Sequence, residues 1–248
     1  MKKGDFIKIE FVGRLESGEI FDLTKEDLAK ENNIHTPNIK YKPVTVIIGA
    51  GFVVPGLDKA LTEMMVGDKK EVVVKPDEAF GIRNPELVRT IPEKAFEGKH
   101  IVPGMVVDFG NTRGRIQSMS AGRVRVDFNH PLAGKTLKYD VEIRECIEDQ
   151  IQQVESILDF FGIEPKIYMV PGAYEIEADP SPQAKQKISS LILEYVNGVN
   201  RVRFVQSFDR NKSETKNDAD KEGSKDDKKE ESAKESRPHR PSKKKGVE

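Results

Sequence analysis

The side chains able to do covalent chemistry are few and scattered along this sequence. His35, His100, His130 and His239 do not fall at metal-ligand spacing, and Cys146 is the one cysteine. Neither a G-x-x-x-x-G-K-[ST] phosphate loop nor a G-x-S-x-G nucleophile turn occurs. A metal or nucleophile mechanism has no support in these residues, and no cofactor is expected. What remains is a set of aromatic and aliphatic side chains around one carboxylate. Phe80 lies in the loop Pro76-Asp77-Glu78-Ala79-Phe80-Gly81, where an aromatic has little reason to be core, and Asp22 closes a short strand before Leu23-Thr24. On residue type alone, Phe11, Phe21 and Tyr139 read as core aromatics and Asp22 as a turn or cap residue. Asp22 and Phe80 are the two least explicable as packing.

The elements that must position them follow from periodicity. Asp5 to Gly13 alternates apolar and polar, and Glu16-Ser17-Gly18-Glu19 turns it into Glu19 to Asp22, which gives two antiparallel strands. Thr24-Lys25-Glu26-Asp27 has the form of a helix start with Thr24 as cap. A third strand runs over 44–49. Leu57, Ala60, Leu61 and Met64 fall at helical spacing, and Lys69 to Lys75 returns as a strand. Strands are expected at 102–109, 115–119 and 123–128, with turns at Asn111-Thr112-Arg113-Gly114 and Ser120-Ala121-Gly122. Thr136 to Ile143 alternates again and could close the first sheet. Ile147, Ile151, Val154, Leu158 and Phe161 form a helical stripe ended by Gly162. Strands at 166–170, 174–178 and 201–208 flank a helix capped by Ser181-Pro182, with Ala184, Ile188, Leu191, Ile192 and Tyr195 on one face. The fold class is α+β, with a small β-rich insert interrupting the first domain and a C-terminal α+β unit.

Charge is unevenly spread. The 248 residues carry a net charge of −1, yet residues 209–248 alone hold 13 basic and 11 acidic side chains and almost no apolar ones, so this tail is expected to be disordered. The remaining body is mildly acidic, which argues against a grip on nucleic acid through phosphate neutralisation. The basic end, Arg237 to Lys245, reads as a solubility tail or as a contact to ribosome or nucleic acid. No stretch approaches the length needed to span a bilayer, and a lone cysteine suits a reducing compartment. A cytoplasmic location is expected.

Several short segments taken together resemble the FKBP-type peptidyl-prolyl isomerases, in particular the SlyD-like subgroup with an insert-in-flap domain. They are Phe11-Val12-Gly13-Arg14-Leu15, Gly18-Glu19-Ile20-Phe21-Asp22, Ile48-Gly49 through Val53-Val54-Pro55-Gly56-Leu57, Met65-Val66-Gly67-Asp68, Ala79-Phe80-Gly81, Asn129 to Lys135, and Leu137 to Glu142. Order and spacing agree over about residues 1–147, and the extra C-terminal unit is similar to that of the long archaeal members. The resemblance implies an antiparallel sheet wrapped on a short helix, with an isomerase domain over 1–84 and 129–147. It implies an inserted flap domain over 85–128, a C-terminal domain over 148–208 and a tail over 209–248. It implies Phe21, Asp22, Phe80 and Tyr139 as catalytic residues and Phe11, Val44, Val53, Val54 and Leu57 as substrate-binding. Leu57 takes the place of the pocket floor, often Trp in eukaryotic members, so affinity for large macrolides is not carried over. Nickel binding is not carried over either, because the tail lacks Cys and holds His239 alone.

An isomerase of this kind rotates an X-Pro amide, whose barrier of roughly 18–20 kcal/mol reflects lost resonance and makes the uncatalysed step take tens to hundreds of seconds. The twisted amide has less charge separation than the planar one, so an apolar pocket favours it. The resemblance further implies that the Val54 amide holds a substrate carbonyl and that Asp22 sits by the carbonyl that rotates. Unfolded or proline-containing polypeptides are the expected partners. Leu87, Ile91, Phe96, Ile101, Val102 and Met105 of the insert are expected to hold clients, and ribosome or other chaperones are further expected contacts. For the C-terminal unit, dimerisation by strand addition or helix packing and an extension of the chaperone surface both stay open. The rival readings are a holdase that keeps the fold without turnover and an RNA-associated factor.

Overall fold

A computed structural model describes residues 1–207 except 97, 99, 111, 165 and 172. The charged tail, Phe208 at the end of the expected last strand, and Asn111 in an expected turn lie outside the described residues. Residues Met1–Gln206 form one compact unit holding three sheets.

The first sheet begins with β1 (Phe6–Leu15), whose alternation turns Ile7, Ile9 and Phe11 to one face. β2 (Ile20–Leu23) returns antiparallel after a turn in which Gly18 takes a φ of 87°. Next come α1 (Glu26–Glu31), β3 (Val44–Ile47), α2 (Pro55–Thr62) and β4 (Lys69–Val74). β2 and β3 are both short and share one edge of β1, pairing with its far and near halves. Pro55 at the first position of α2 fixes a helical φ where no N–H is needed. Leu57 and Leu61 then drop into the sheet's concave face with Met64, Val72 and Val74.

The second sheet comprises β5 (Val88–Pro92), β6 (Val106–Phe109), β7 (Thr112–Ser120) and β8 (Arg123–Asp127), in spatial order β5-β8-β7-β6 and antiparallel throughout. β5 was not expected as a strand. It is an edge strand of five residues whose half-buried Val88 and Ile91 are its apolar members, and Pro92 ends it where no ladder hydrogen bond is lost. Gly114, expected in a turn, lies inside β7: a Cβ there would come within 2.4 Å of Val126 Cγ1. The chain instead reverses between Phe109 and Thr112, and the other expected turn is found at Ala121-Gly122, both with positive φ, as a two-residue hairpin loop requires. Phe96, Ile101, Val107, Ile116, Val124 and Val126 make this sheet's core.

The chain then re-enters the first sheet as β9 (Leu137–Ile147), which pairs with the whole of β1 on one side and with β4 on the other. α3 (Gln150–Phe160), β10 (Ile167–Val170), β11 (Ala173–Glu177), α4 (Pro182–Tyr195) and β12 (Arg201–Val205) follow. β11 pairs antiparallel with β10 and parallel with β12, the parallel step being the one that α4 crosses. Val154, Ile157 and Leu158 of α3 pack with Ile188, Leu191 and Ile192 of α4 and with Phe6, Ile47 and Ile147 on the convex face of the first sheet. Ile151, expected in the α3 stripe, is exposed, and Ile157 takes the buried place.

The expected Thr24 cap is corrected. α1 starts after Lys25 with no side-chain cap, and Thr24 is buried against β1, where its Oγ1 accepts from the Phe11 N–H at 2.9 Å and donates to the Phe11 carbonyl at 3.2 Å. The β1–β2 ladder ends at Val12 and Leu23, and at the next position the Thr24 hydroxyl takes the Phe11 N–H while the Thr24 N–H donates to the Phe11 carbonyl at 3.0 Å. Thr24→Val keeps the shape but orphans a buried amide, so urea unfolding is expected to show a loss of about 1–3 kcal/mol. A loss below the fitting error would mean that water replaces the hydroxyl.

Candidate active site

One cavity of about 550 Å3 lies where the concave face of the first sheet meets the N-terminus of α2 and the loop carrying Phe80. Of the nine expected pocket residues, Phe11, Asp22, Val44, Val53, Val54, Leu57, Phe80 and Tyr139 line it. Phe21 does not. Its ring stands behind Tyr139, centroids 5.6 Å apart and planes at 88°, while Phe11 meets the same phenol ring edge-on at 6.0 Å. Such edge-to-face pairs fix ring orientation as well as burying area.

The sequence makes this cluster through a bulge. Gly13 is registered with Asp22 of β2 and Tyr139 of β9, but Arg14 is registered with Ile20, so Phe21 has no partner in the ladder. The extra residue lets Phe21 and Asp22, adjacent in sequence, both serve the concave side. Phe21 then lies flat against Gly13, where an added Cβ would come within 2.6 Å of its Cζ. Phe80 is held differently: it stacks on His130 with centroids 4.2 Å apart and planes 7° from parallel, and His130 Nδ1 accepts from the Leu132 N–H at 3.2 Å. Phe80 keeps 37% of its surface exposed at the cavity mouth.

Three polar groups face this apolar space. Asp22 is solvent-exposed by area, yet the surrounding side chains thin its hydration. Desolvation pushes its carboxyl pKa up, and a hydrogen bond from the Leu23 N–H offsets only part of that. Tyr139 is pushed up to about 12, by burial first and by the Asp22 charge second, so it stays a neutral phenol. Its hydroxyl makes no hydrogen bond to a described residue. The Val54 amide, at the residue before α2, likewise has no partner among the described residues, whereas its carbonyl accepts from Leu57 and Asp58. A donor left free at a helix N-terminus beside an apolar cavity suits a substrate carbonyl. Among the described residues no three His, Cys, Asp or Glu side chains converge at metal-binding spacing.

Residues not foreseen also line the cavity, notably Thr24, Ile39, Lys42, Phe52 and Phe160. For Phe160 a signal existed: of two consecutive phenylalanines at a helix end, only one can face the core. In the insert, Val102 and Met105 are exposed and Leu87 and Ile91 half-buried, but Phe96 and Ile101 are buried. The expectation that these two form an open client surface is corrected, because a six-residue core cannot spare them.

An antiparallel sheet wrapped on one short helix, with an apolar cavity at their junction, defines a fold of the FKBP kind. The family model for the FKBP-type peptidyl-prolyl cis-trans isomerases matches residues 1–144. The chain belongs to this family and is a peptidyl-prolyl cis-trans isomerase. It is similar to a short-type peptidyl-prolyl cis-trans isomerase of Methanocaldococcus jannaschii, at 33% identity over 58% of this chain and 93% of the relative. It is also similar to the FKBP-type isomerase SlyD of Helicobacter pylori, at 37% identity over 46% of this chain and 66% of the relative. A probable 16 kDa FKBP-type isomerase of Pseudomonas fluorescens is 35% identical over 55% and 85%. The chain is SlyD-like within its family. Among the described residues no helix is long and apolar enough to cross a membrane.

Two outcomes follow from this geometry. Gly13→Ala must push the Phe21 ring off Tyr139, so kcat/KM on a prolyl tetrapeptide is expected to fall, with a stability cost of about 1–3 kcal/mol in urea. Unchanged turnover would remove Phe21 from the site's support. Asp22 has a folded pKa above its ordinary 3.8, so its ionisation weakens the fold. Asp22→Asn is therefore expected to raise stability at pH 7, and the gain should shrink as pH falls through the raised pKa and vanish below 3.8. A gain that persists at pH 3 would contradict this assignment.

Proposed function

We propose that the chain accelerates X-Pro isomerisation in unfolded or nascent polypeptides by non-covalent stabilisation of the twisted amide in this cavity. The observation that carries the reading is the set of three polar groups around apolar walls: the Val54 N–H and the Tyr139 hydroxyl, neither with a partner among the described residues, and the Asp22 carboxylate, which accepts only from the Leu23 N–H. The Val54 N–H fixes the peptide by a carbonyl outside the rotating bond. The rotating amide then lies against Phe11, Leu57 and Tyr139. Stripped of water and of resonance, its carbonyl loses charge as it turns, which apolar walls favour over the planar form. The Asp22 carboxylate orients the bond's dipole and favours one sense of rotation, and Phe80 limits the entry of water at the mouth. Each role is positional or electrostatic, as a reaction with no bond to make requires.

We read residues 1–84 and 129–147 as the isomerase domain, 85–128 as an inserted client-holding domain and 148–208 as a further domain. The client surface is drawn at the edge strand β6 and the turn before it, where Val102, Met105 and Val106 are 45%, 41% and 53% exposed. An apolar edge of this kind suits an extended unfolded chain. The exposed, unpaired thiol of Cys146 suits a reducing cytoplasm.

One paired experiment tests both assignments. Asp22→Leu is expected to lower kcat/KM on a prolyl tetrapeptide about tenfold or more, in the range of an electrostatic contribution to a transition state. The triple variant Val102→Ser, Met105→Gln and Val106→Ser is expected to leave tetrapeptide turnover unchanged and to slow the catalysed refolding of a proline-limited protein. Equal loss of both activities in the triple variant would sink the division of labour, and full turnover by Asp22→Leu would remove that carboxylate from the mechanism.

A further inference from the structure

The cavity is wider than the prolyl site, and its outer wall comes from the C-terminal part of the chain. Phe160 ends α3 and lines the cavity with 56% of its surface exposed. Its neighbour Phe161 is partly buried among the side chains of α3 and α4, so the two rings diverge and Phe160 is turned outward. Phe52 meets it with centroids 4.5 Å apart. Phe52 stands two residues before the free Val54 amide and packs against both the first sheet's concave core and the α3–α4 core. The helix end is also fastened from the other side: Lys42 Nζ lies 2.6 Å from Asp159 Oδ2, tying the loop before β3 to the residue before Phe160. A large aromatic held this way, open to the cavity rather than packed away, costs hydration and gains little for the fold.

We propose that Phe52 and Phe160 form a subsite continuous with the prolyl cavity that takes an apolar side chain flanking the proline, so that residues beyond 147 set substrate specificity. The occupant is part of the same peptide. The Val54 amide anchors the backbone two residues from Phe52, and a side chain one or two positions along an extended peptide reaches that pair, since each residue advances about 3.3 Å. The walls are mostly apolar, Ile39 among them, and of the two lysines that line the cavity Lys42 is engaged by Asp159 while Lys40 is exposed. Leucine or phenylalanine therefore suits the subsite, and glycine leaves it empty. Phe160 is a specificity-determining residue, with no part in rotating the bond.

The inference rests on the location of the prolyl site given above, and its test keeps the two separable. The full chain and Phe160→Ala are compared on prolyl peptides carrying leucine or glycine on either side of the proline. The wild-type chain is expected to prefer a leucine-flanked peptide. Phe160→Ala is expected to raise KM for that peptide about five- to tenfold, the effect of losing one to two buried methylene groups, with kcat and the glycine peptide unchanged. Because the chain has no tryptophan, Phe160→Trp adds a single indole that can be excited apart from the five tyrosines, and its emission should shift to the blue, saturably, with the leucine peptide and not with the glycine one. The proposal is overturned if Phe160→Ala keeps the wild-type preference, if it weakens both peptides equally, or if the Phe160→Trp emission does not move. Loss of leucine preference in Asp22→Leu with turnover intact would overturn the prolyl site's location instead.

Discussion

The pairing of β1 with β9 is the constraint on which everything else depends. Ten residues from one end of the body, Phe6–Leu15, lie antiparallel to Leu137–Ile147, more than a hundred residues away in sequence. That ladder brings Phe11, Gly13 and Tyr139 into one neighbourhood. It also forces the segment between to leave and re-enter the sheet, so the four-stranded insert is an excursion between β4 and β9. Closing so long a loop costs only logarithmically more than closing a short one, and a ladder of this length with apolar side chains on both faces can offset it. The cost falls on speed, since the two strands must find each other late.

The same ladder sets where the C-terminal unit attaches. Between Lys8 and Ile9 the β1–β9 register shifts by a bulge in β9, which turns Ile147 to the convex face that Phe6 takes by alternation, together with Ile47. The sheet is thus buried on both faces at one end, concave against α2 and convex against α3 and α4. A unit of about sixty residues is marginal on its own by surface-to-volume scaling, and borrowing Phe6, Ile47 and Ile147 enlarges its core. Its seat on the sheet also brings the end of α3 round to the cavity edge.

Much of this was legible in the residues. Period-two alternation identified β1 and β9, period 3.6 identified α2 and α4, and Gly18 and Gly122 fell where the chain reverses. The failures have physical causes. β5 is short and pairs on one side only, so little selects for a run of apolar residues. Gly114 looked like a turn because glycine in a strand is rare, and only the close approach of Val126 explains it. Thr24 looked like a cap because Thr-x-x-acid is a local signal, and a tertiary hydrogen bond to Phe11 outcompetes it. The site divides the same way. The residues that family motifs mark do meet in the cavity, Phe21 standing one layer behind, while Phe52, inside a matched segment but not expected in the pocket, and Phe160, outside every matched segment, meet through tertiary packing.

The connection between the insert and the cavity shows how polar contacts can set geometry that apolar ones cannot. The two chain crossings are joined by Asn84 and Asn129: the Asn84 N–H donates to Asn129 Oδ1 at 2.8 Å, and Asn129 Nδ2 donates to the Asn84 carbonyl at 3.0 Å. Behind them the buried Asp127 carboxylate accepts from Arg83, from Gln117 at 3.2 Å and from Asn129 through both its backbone and its side chain. Desolvation alone would raise its pKa, but these donors outweigh it and hold the carboxyl below its ordinary value. Hydrogen bonds of this kind are directional, whereas burying apolar area tolerates sliding. Arg83 is three residues from Phe80 and Asn129 adjoins His130, so the two members of the aromatic stack at the cavity mouth are each tethered to this network. The insert and Phe80 are therefore positioned by one set of bonds.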